Sequence, residues 1–288
     1  MQTRIALATY ERAPALAPDD RRLIPALERL GIRAEPAVWS DRSIRWRDFD
    51  AVIIRSCWDY HIRFGEFETW LDALEADAVP LWNPATLIRW NADKRYLLDL
   101  AGRGVATVPT MIAMRGHADA VESLATAEGW DRFVIKPAIS ASGYETFALR
   151  TPLDDASRAT IARVASLGAV LVQPFADEIA RFGELSFTFF DGVFSHATVK
   201  RARAGEFRVQ TEHGGTVESI VVERALIDQA AAVVRSLGVR PLYARVDGIT
   251  RDGAFLLMEL ELIEPNVFMS YAENAADRFA RAIAQRLG

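Results

Sequence analysis

The sequence predicts an α/β protein in which a parallel-sheet domain at the N-terminal end is followed by two α+β units. Three observations carry that expectation. Strand-like and helix-like patterns alternate from Arg4 to Asp77, an order that builds a parallel sheet with helices packed on it. Two Asp-Gly dipeptides, Asp191–Gly192 and Asp252–Gly253, each sit between apolar runs and mark antiparallel hairpins. Between these regions Arg132–Lys136 and Val170–Gln173 are the clearest strands of a smaller unit running from Thr110 to Phe175.

In chain order, Arg4–Thr9 reads as a buried strand and Arg21–Leu30 as a helix stopped by Gly31, with Pro25 in or near its first turn. Ile32–Trp39 and Asp50–Cys57 are the next strands, the latter through the branched run Val52–Ile53–Ile54. Phe64–Asp77 is an amphipathic helix with Phe67, Trp70, Leu71 and Leu74 on one side. Ligands of parallel sheets lie beyond the carboxyl ends of the strands, where Arg55, Ser56, Trp58, Asp59, Tyr60 and His61 fall. A ligand is expected there, Arg55 offering a bidentate fork to a carboxylate and Asp59 a charge to an ammonium. The competing expectation is that Arg55 and Asp59 pair with each other at the surface.

Asn91 reads as the N-cap of a helix over Ala92–Leu100, which puts Lys94 in a first turn where its charge opposes the helix dipole. Gly102–Pro109 reads as a linker. Between Lys136 and Phe147 the run Pro-Ala-Ile-Ser-Ala-Ser-Gly-Tyr-Glu-Thr is a small-residue loop able to turn backbone N–H groups toward phosphate oxygens, though an ordinary turn reads equally well from the loop alone. Leu185–Phe190 and Val193–Lys200 flank the first hairpin turn. Phe207–Gln210 reads as a short strand, Arg224–Leu237 as a helix closed by Gly238, and Ala272–Leu287 as a terminal helix. Unit boundaries fall near residues 1–90, 91–175 and 176–288.

A chain of 288 residues, half of them hydrophobic, can bury a sizeable core and is ordinary for a globular protein. The formal net charge of −5 and scattered basic residues give nucleic acid no footing as a partner. A single cysteine, Cys57, excludes an intramolecular disulfide and agrees with a cytoplasmic location. No run has the length and apolarity of a leader or a membrane span. The four histidines show no metal-ligand spacing.

The chemistry concentrates in Tyr243–Asn266. Alternation puts Arg245 and Asp247 on one face of the first strand, while Leu256, Met258, Leu260 and Leu262 are expected on the apolar face of the second, leaving Glu259 and Glu261 to point away from it. Three carboxylates that close repel unless a cation sits among them, and Mg²⁺ shared with nucleotide phosphates suits such a set. An exposed polar hairpin face is the alternative for this stretch read alone.

Taken together, Lys94, Lys136 in Ile-Lys-Pro, the small-residue loop, Gln173–Pro174–Phe175, Arg-x-Asp and Glu-x-Glu stand in an order that resembles the ATP-grasp superfamily, in its glutathione-synthetase and ribosomal-protein S6 modification branch. The phrases Arg-Ser-Cys-Trp-Asp-Tyr-His, Phe-Arg-Val-Gln-Thr-Glu-His-Gly-Gly and Met-Glu-Leu-Glu-Leu-Ile-Glu-Pro are similar to those of the cyclo-ligases that close O-ureidoserine to cycloserine. The resemblance implies a carboxylate–amine ligase that works through an acyl phosphate on a small amino-acid-like substrate, with intramolecular cyclisation as one form. It implies ATP and Mg²⁺, with Lys94 and Lys136 at the α- and β-phosphates, Ser140, Ser142 and Gly143 closing over the phosphates, Gln173, Pro174 and Phe175 at adenine, and Asp177 or Glu178 at the ribose. Asp247, Glu259 and Glu261 would hold Mg²⁺, Arg208 and Arg245 would steady the transferred phosphoryl group, and Arg55, Trp58, Asp59, His61 and Asn266 would lie near substrate. Many members carry Glu-x-Asn where this chain has Glu259-x-Glu261, which leaves the number of metal ions open. The alternatives are a ligase acting on a peptide or protein tail and a non-catalytic nucleotide-binding protein. The reading allows a homodimer and assigns no membrane partner.

Overall fold

The computed structural model describes residues 2–288. The elements in order are β1 (Arg4–Thr9), α1 (Leu23–Glu28), β2 (Arg33–Val38), β3 (Ala51–Ser56), α2 (Phe64–Ala76), β4 (Leu81–Trp82), α3 (Ala85–Ala92), α4 (Tyr96–Gly102), β5 (Met111–Ala113), α5 (Ala118–Ala127), β6 (Arg132–Pro137), β7 (Phe147–Arg150), α6 (Asp155–Leu167) and β8 (Val170–Pro174). They continue as α7 (Asp177–Phe182), β9 (Glu184–Phe190), β10 (Val193–Arg201), β11 (Thr216–Ile220), α8 (Arg224–Arg235), β12 (Tyr243–Arg251), β13 (Ala254–Glu261) and α9 (Ala275–Leu287).

Three sheets result. The first is parallel, in the order β2-β1-β3-β4, as the alternating pattern predicts. The second is antiparallel, β5-β8-β6-β7, and the third, also antiparallel, is β11-β10-β9-β12-β13. Both Asp-Gly turns form with positive φ at the two central residues, 49° and 75° at Asp191–Gly192 and 52° and 78° at Asp252–Gly253, which is the backbone a two-residue hairpin needs. The apolar face of α9 closes over the first sheet: Phe279, Ala280 and Ile283 join Ile5, Leu7, Leu23, Leu27 and Ile53 in one core that also takes in Tyr243 and Phe190. The end of the chain thus covers the face that its beginning leaves open.

Several expectations are corrected. The helix expected over Ala92–Leu100 is broken: α3 ends at Ala92, α4 starts at Tyr96, and Lys94 lies in the gap. Asn91 caps nothing; its amide donates to the Leu260 carbonyl and accepts from the Leu262 N–H, each at 2.8 Å. Gly102–Pro109 is no linker either, because Ala106 and Val108 pair with Leu257 and cover the outer edge of β13. Phe207–Gln210 is loop rather than strand, and β11 lies beyond it.

The most consequential correction lies in β13. Asp247 pairs with Glu259 but Gly248 with Leu257, so Met258 is an extra residue, a β-bulge. Before the bulge Phe255 and Leu257 face the core; after it Leu260 and Leu262 do. Leu256 and Met258, expected in that apolar row, pack instead with Val108, Ala176, Ile179 and Ile249. Without the extra residue strict alternation would aim Glu259 and Glu261 into the core. Gly248 permits the arrangement, since a Cβ there would lie 2.2 Å from the Leu256 carbonyl oxygen and 2.6 Å from the Phe255 ring.

Candidate active site

A cavity of about 280 Å³ opens where the three sheets meet, lined by residues from every unit of the chain. Lys94 enters it from the α3–α4 break. Its backbone N–H bonds to the Ala138 carbonyl at 2.8 Å, and its ammonium donates to Ser140 O at 2.6 Å and pairs with Glu259 at 2.7 Å. Burial acts to lower the Lys94 pKa, but Glu259, Glu261 and Glu264 outweigh it and hold the amine above its usual value. Lys136, at the end of β6, has no such close partner; burial, with Lys94 adding to it, lowers its pKa.

The floor of the cavity is a charge ladder across β10, β9, β12 and β13. Lys200 lies opposite Glu184 in register and donates to it at 2.7 Å and to Asp247 at 2.8 Å. Arg245 donates to Asp247 at 2.8 Å and to Glu261, and its third contact is the Asn266 carbonyl at 2.9 Å. Although burial opposes ionisation, Arg245 and Lys200 keep the Asp247 carboxyl far below the ordinary carboxylate range. Glu261 differs: burial, reinforced by Glu259 and Asp247, pushes it up to about 7 against the pull of Arg245. Glu259 is drawn down by Lys94 and Lys136 in spite of its burial.

Over the ladder two loops meet. Ser140, Ser142 and Gly143 line the cavity on one side. Gly143 has φ +69°, and a Cβ on it would come within 3.3–3.4 Å of Arg208, His213 and Gln210 from the other loop. Arg208 is clamped by Glu206, whose carboxyl it pulls down to about 2. Gln210 Oε1 and His213 Nε2 are buried there without hydrogen-bond partners. Gln173, Pro174 and Phe175 form a further wall, Phe175 standing 6.0 Å from Phe207.

Trp58 and Asn266 also line the cavity, but the other residues expected near substrate do not. Arg55 is fully buried beneath it. It pairs with Asp20 at 3.0 Å, donates to the Pro265 carbonyl at 2.5 Å and lies over the Tyr243 ring, so its fork is not free for a substrate carboxylate. Nor does it pair with Asp59, which accepts from Trp39 at 2.8 Å and faces Arg63 at 3.3 Å. His61 packs against Tyr144 and is brought down to about 4, chiefly by burial and then by Lys94. Asp177 pairs with Arg132 and Glu178 with Arg251, and neither faces the cavity.

Lys200, Glu184 and Glu264 are site residues that the sequence reading passed over. A signal for the first two exists: His196, Thr198 and Lys200 on β10 and Glu184, Ser186 and Thr188 on β9 are polar at every second position, yet these strands are buried. Glu264 lies beyond β13, where no alternation points to it.

The residues present fit a nucleotide and a hard cation. The two lysines, the paired loops and the unpartnered polar atoms of Gln210 and His213 suit phosphate and base. Glu259 and Glu261 supply oxygen to one face, and a divalent cation would offset the burial and the neighbouring carboxylates that push Glu261 up. Among the described residues no three His, Cys, Asp or Glu side chains converge tightly enough to hold a metal alone, so phosphate oxygens would have to complete the shell. Asp247 could join only by exchanging one of its cationic partners.

Comparison with known proteins agrees with this geometry. Residues 5–83 match the family model described as the D-cycloserine synthetase DcsG N-terminal domain. The whole chain is 34% identical over 296 aligned residues to the cycloserine biosynthesis protein DcsG of Streptomyces lavendulae, covering 98% of each. The crystal structure of D-cycloserine synthetase DcsG superposes with a TM-score of 0.89 at 32% identity, over 99% of this chain and 100% of that one. The D-alanine–D-alanine ligase of Bacillus anthracis shares the fold at a TM-score of 0.72 and 16% identity, over 100% and 97% of the two chains. A RimK domain ATP-grasp protein of Sphaerobacter thermophilus does so at 0.72 and 18%, over 98% and 100%.

Proposed function

Because the chain belongs to the DcsG family of ATP-grasp ligases, we propose that it is an ATP-dependent ligase of cycloserine biosynthesis, joining a carboxylate to an amine within one small amino-acid-like molecule. The observation that carries this reading is the meeting of Lys94, Lys136 and Glu259 in one cavity, each from a different part of the chain. ATP, when bound, activates the carboxylate as an acyl phosphate, from which the amine displaces phosphate as the C–N bond forms.

The protein's share is positioning and charge neutralisation. Lys94 and Lys136 face the phosphates, with the Ser140–Gly143 backbone closing over them, while Gln173, Pro174 and Phe175 flank the base. Glu259 and Glu261 would hold Mg²⁺, which would neutralise charge on the phosphates, and Asp247 could join them only by giving up one of its cationic partners. Arg245, held in line by Asp247 and the Asn266 carbonyl, presents a fixed positive charge where negative charge builds on the reacting centre. Burial of these ions strengthens each interaction. Cys57 is buried and its thiol pushed well up by that burial, so it takes no nucleophilic part. No helix among the described residues is long and apolar enough to cross a membrane, and we place the protein in the cytoplasm. Ligation to a peptide or protein tail rests on fold likeness alone.

The test is release of ADP and phosphate from ATP and Mg²⁺ in the presence of O-ureidoserine, with hydroxylamine diverting the activated carboxylate to a hydroxamate. Lys136→Ala should raise the ATP concentration needed by about tenfold or more, as loss of a desolvated positive charge implies. AMP and pyrophosphate as products would overturn the mechanism.

A further inference from the structure

Glu264 follows β13 and lines the cavity with only 9% of its surface exposed. The other deeply placed acids there each have a cation: Glu184 and Asp247 have Lys200, Glu259 has Lys94, and Glu261 has Arg245. Among the described residues no lysine, arginine or histidine pairs with Glu264. Lys94 is the nearest in effect, but its ammonium is held by Glu259 and the Ser140 carbonyl. A carboxylate is almost never buried without a partner unless something brings one.

The surroundings say what kind of partner. Trp58, Tyr60 and Phe268 line the same cavity, and Trp58 Nε1 donates to the Glu264 carbonyl at 3.2 Å, fixing the indole beside it. Aromatic faces beside a carboxylate suit an organic ammonium, and among the described residues no three acids are placed to hold a metal there. Arg55 holds the next residue's carbonyl from below, so the Glu264 backbone is fixed in place.

We propose that Glu264 is the anchor for the ammonium group of the amino-acid-like substrate, fixing the orientation of the molecule in the cavity. This rests on the ligase reading above and adds the group that orients the substrate. It replaces the role that the sequence suggested for Asp59, whose carboxylate is already engaged by Trp39 and Arg63. Burial and the nearby Glu261 push the Glu264 carboxyl up to about 8, the direction expected of a buried acid that lacks a cation, and an ammonium beside it would favour the charged form.

The anchor is tested by binding. D-cycloserine and isoxazolidin-3-one, the same ring without its amino group, are titrated by calorimetry into the protein and into Glu264→Gln, which keeps the side-chain shape. D-cycloserine should bind the parent at least about tenfold more tightly than the deamino ring, and the difference should vanish in Glu264→Gln, as expected of a desolvated charge pair. Glu264→Asp, with its carboxylate drawn back by one methylene, should fall between. Equal affinity of the two rings for the parent, no measurable binding of either, or a preference that survives in Glu264→Gln overturns the anchor. Binding that behaves as expected without ADP release from O-ureidoserine would leave the anchor standing and overturn the ligase reading instead.

Discussion

Single carboxylates in this protein are set by their neighbours rather than by their type. Asp247 and Glu264 are both deeply buried and only a short distance apart in sequence, yet two cations hold the first ionised and burial holds the second protonated. The second has a consequence for stability. The folded carboxyl titrates near about 8 and the unfolded one near about 4.3, so across that window the folded state binds the extra proton. Stability therefore declines as pH rises from the lower value to the upper, a loss felt through Glu261, Glu259 and Lys94, which face the same group. Glu264→Gln cannot ionise and escapes that loss. Its thermal midpoint should match the parent's near pH ~4, exceed it increasingly toward pH ~8 and hold a constant lead above that. Parallel melting curves across the range, with no widening gap, would show that the carboxyl ionises freely in the fold.

At the scale of an element, β13 does the most with the least sequence. One extra residue, Met258, turns Glu259 and Glu261 out of the core, and it can do so because Gly248 lies opposite. Gly248→Ala should remove the room for that turn. We expect a loss of at least ~2 kcal/mol in urea unfolding from the clash with the Leu256 carbonyl and the Phe255 ring, and ligase activity reduced by ~10²-fold or more because both carboxylates lose their aim. Full activity in this variant would show that the bulge is incidental. The same strand shows how far the sequence could be read. The hairpin, its turn and the carboxylates Glu259 and Glu261 were legible because Asp252–Gly253 and the alternating run are local signals. The bulge was not, since a row of Leu256, Met258 and Leu260 reads as unbroken alternation, and only the facing strand counts the residues. Lys94 was legible as out of place in a helix, but the break that explains it comes from Asn91 and Tyr96 bonding to the edge of β13, a contact between distant parts of the chain. Arg55 was placed at the right end of the right strand, and its burial depends on α9 and Tyr243, which no local pattern announces.

The whole molecule is tied together beneath its cavity. From the N-terminal sheet, Arg55 reaches the Pro265 carbonyl, Asp19 accepts from the N–H groups of Met269 and Ser270 at 2.8 Å, and Asn83 grips Leu242, Tyr243 and Leu262. These bonds fix the segment that carries Glu264, Asn266 and Phe268, so the wall proposed to meet substrate is built on the N-terminal unit although it follows, in sequence, the strand proposed to hold metal. Arg55 is the keystone of that arrangement: its guanidinium is fully buried, paired with Asp20 and stacked over Tyr243 and Phe279. Removing it strands the Asp20 carboxylate in the interior, a loss of about 3–5 kcal/mol, where a surface pair would contribute about 0–1 kcal/mol. Arg55→Ala should thus shift the urea midpoint by that larger amount, and Arg55→Lys, which restores the charge without the planar fork, should recover part of it. In Arg55→Ala that still folds at low temperature, affinity for the amino-acid-like substrate should drop while affinity for ATP holds, since the wall it releases is the one proposed to meet substrate. A stability change within ~1 kcal/mol, or equal losses for both ligands, would mean that the two units are held together elsewhere.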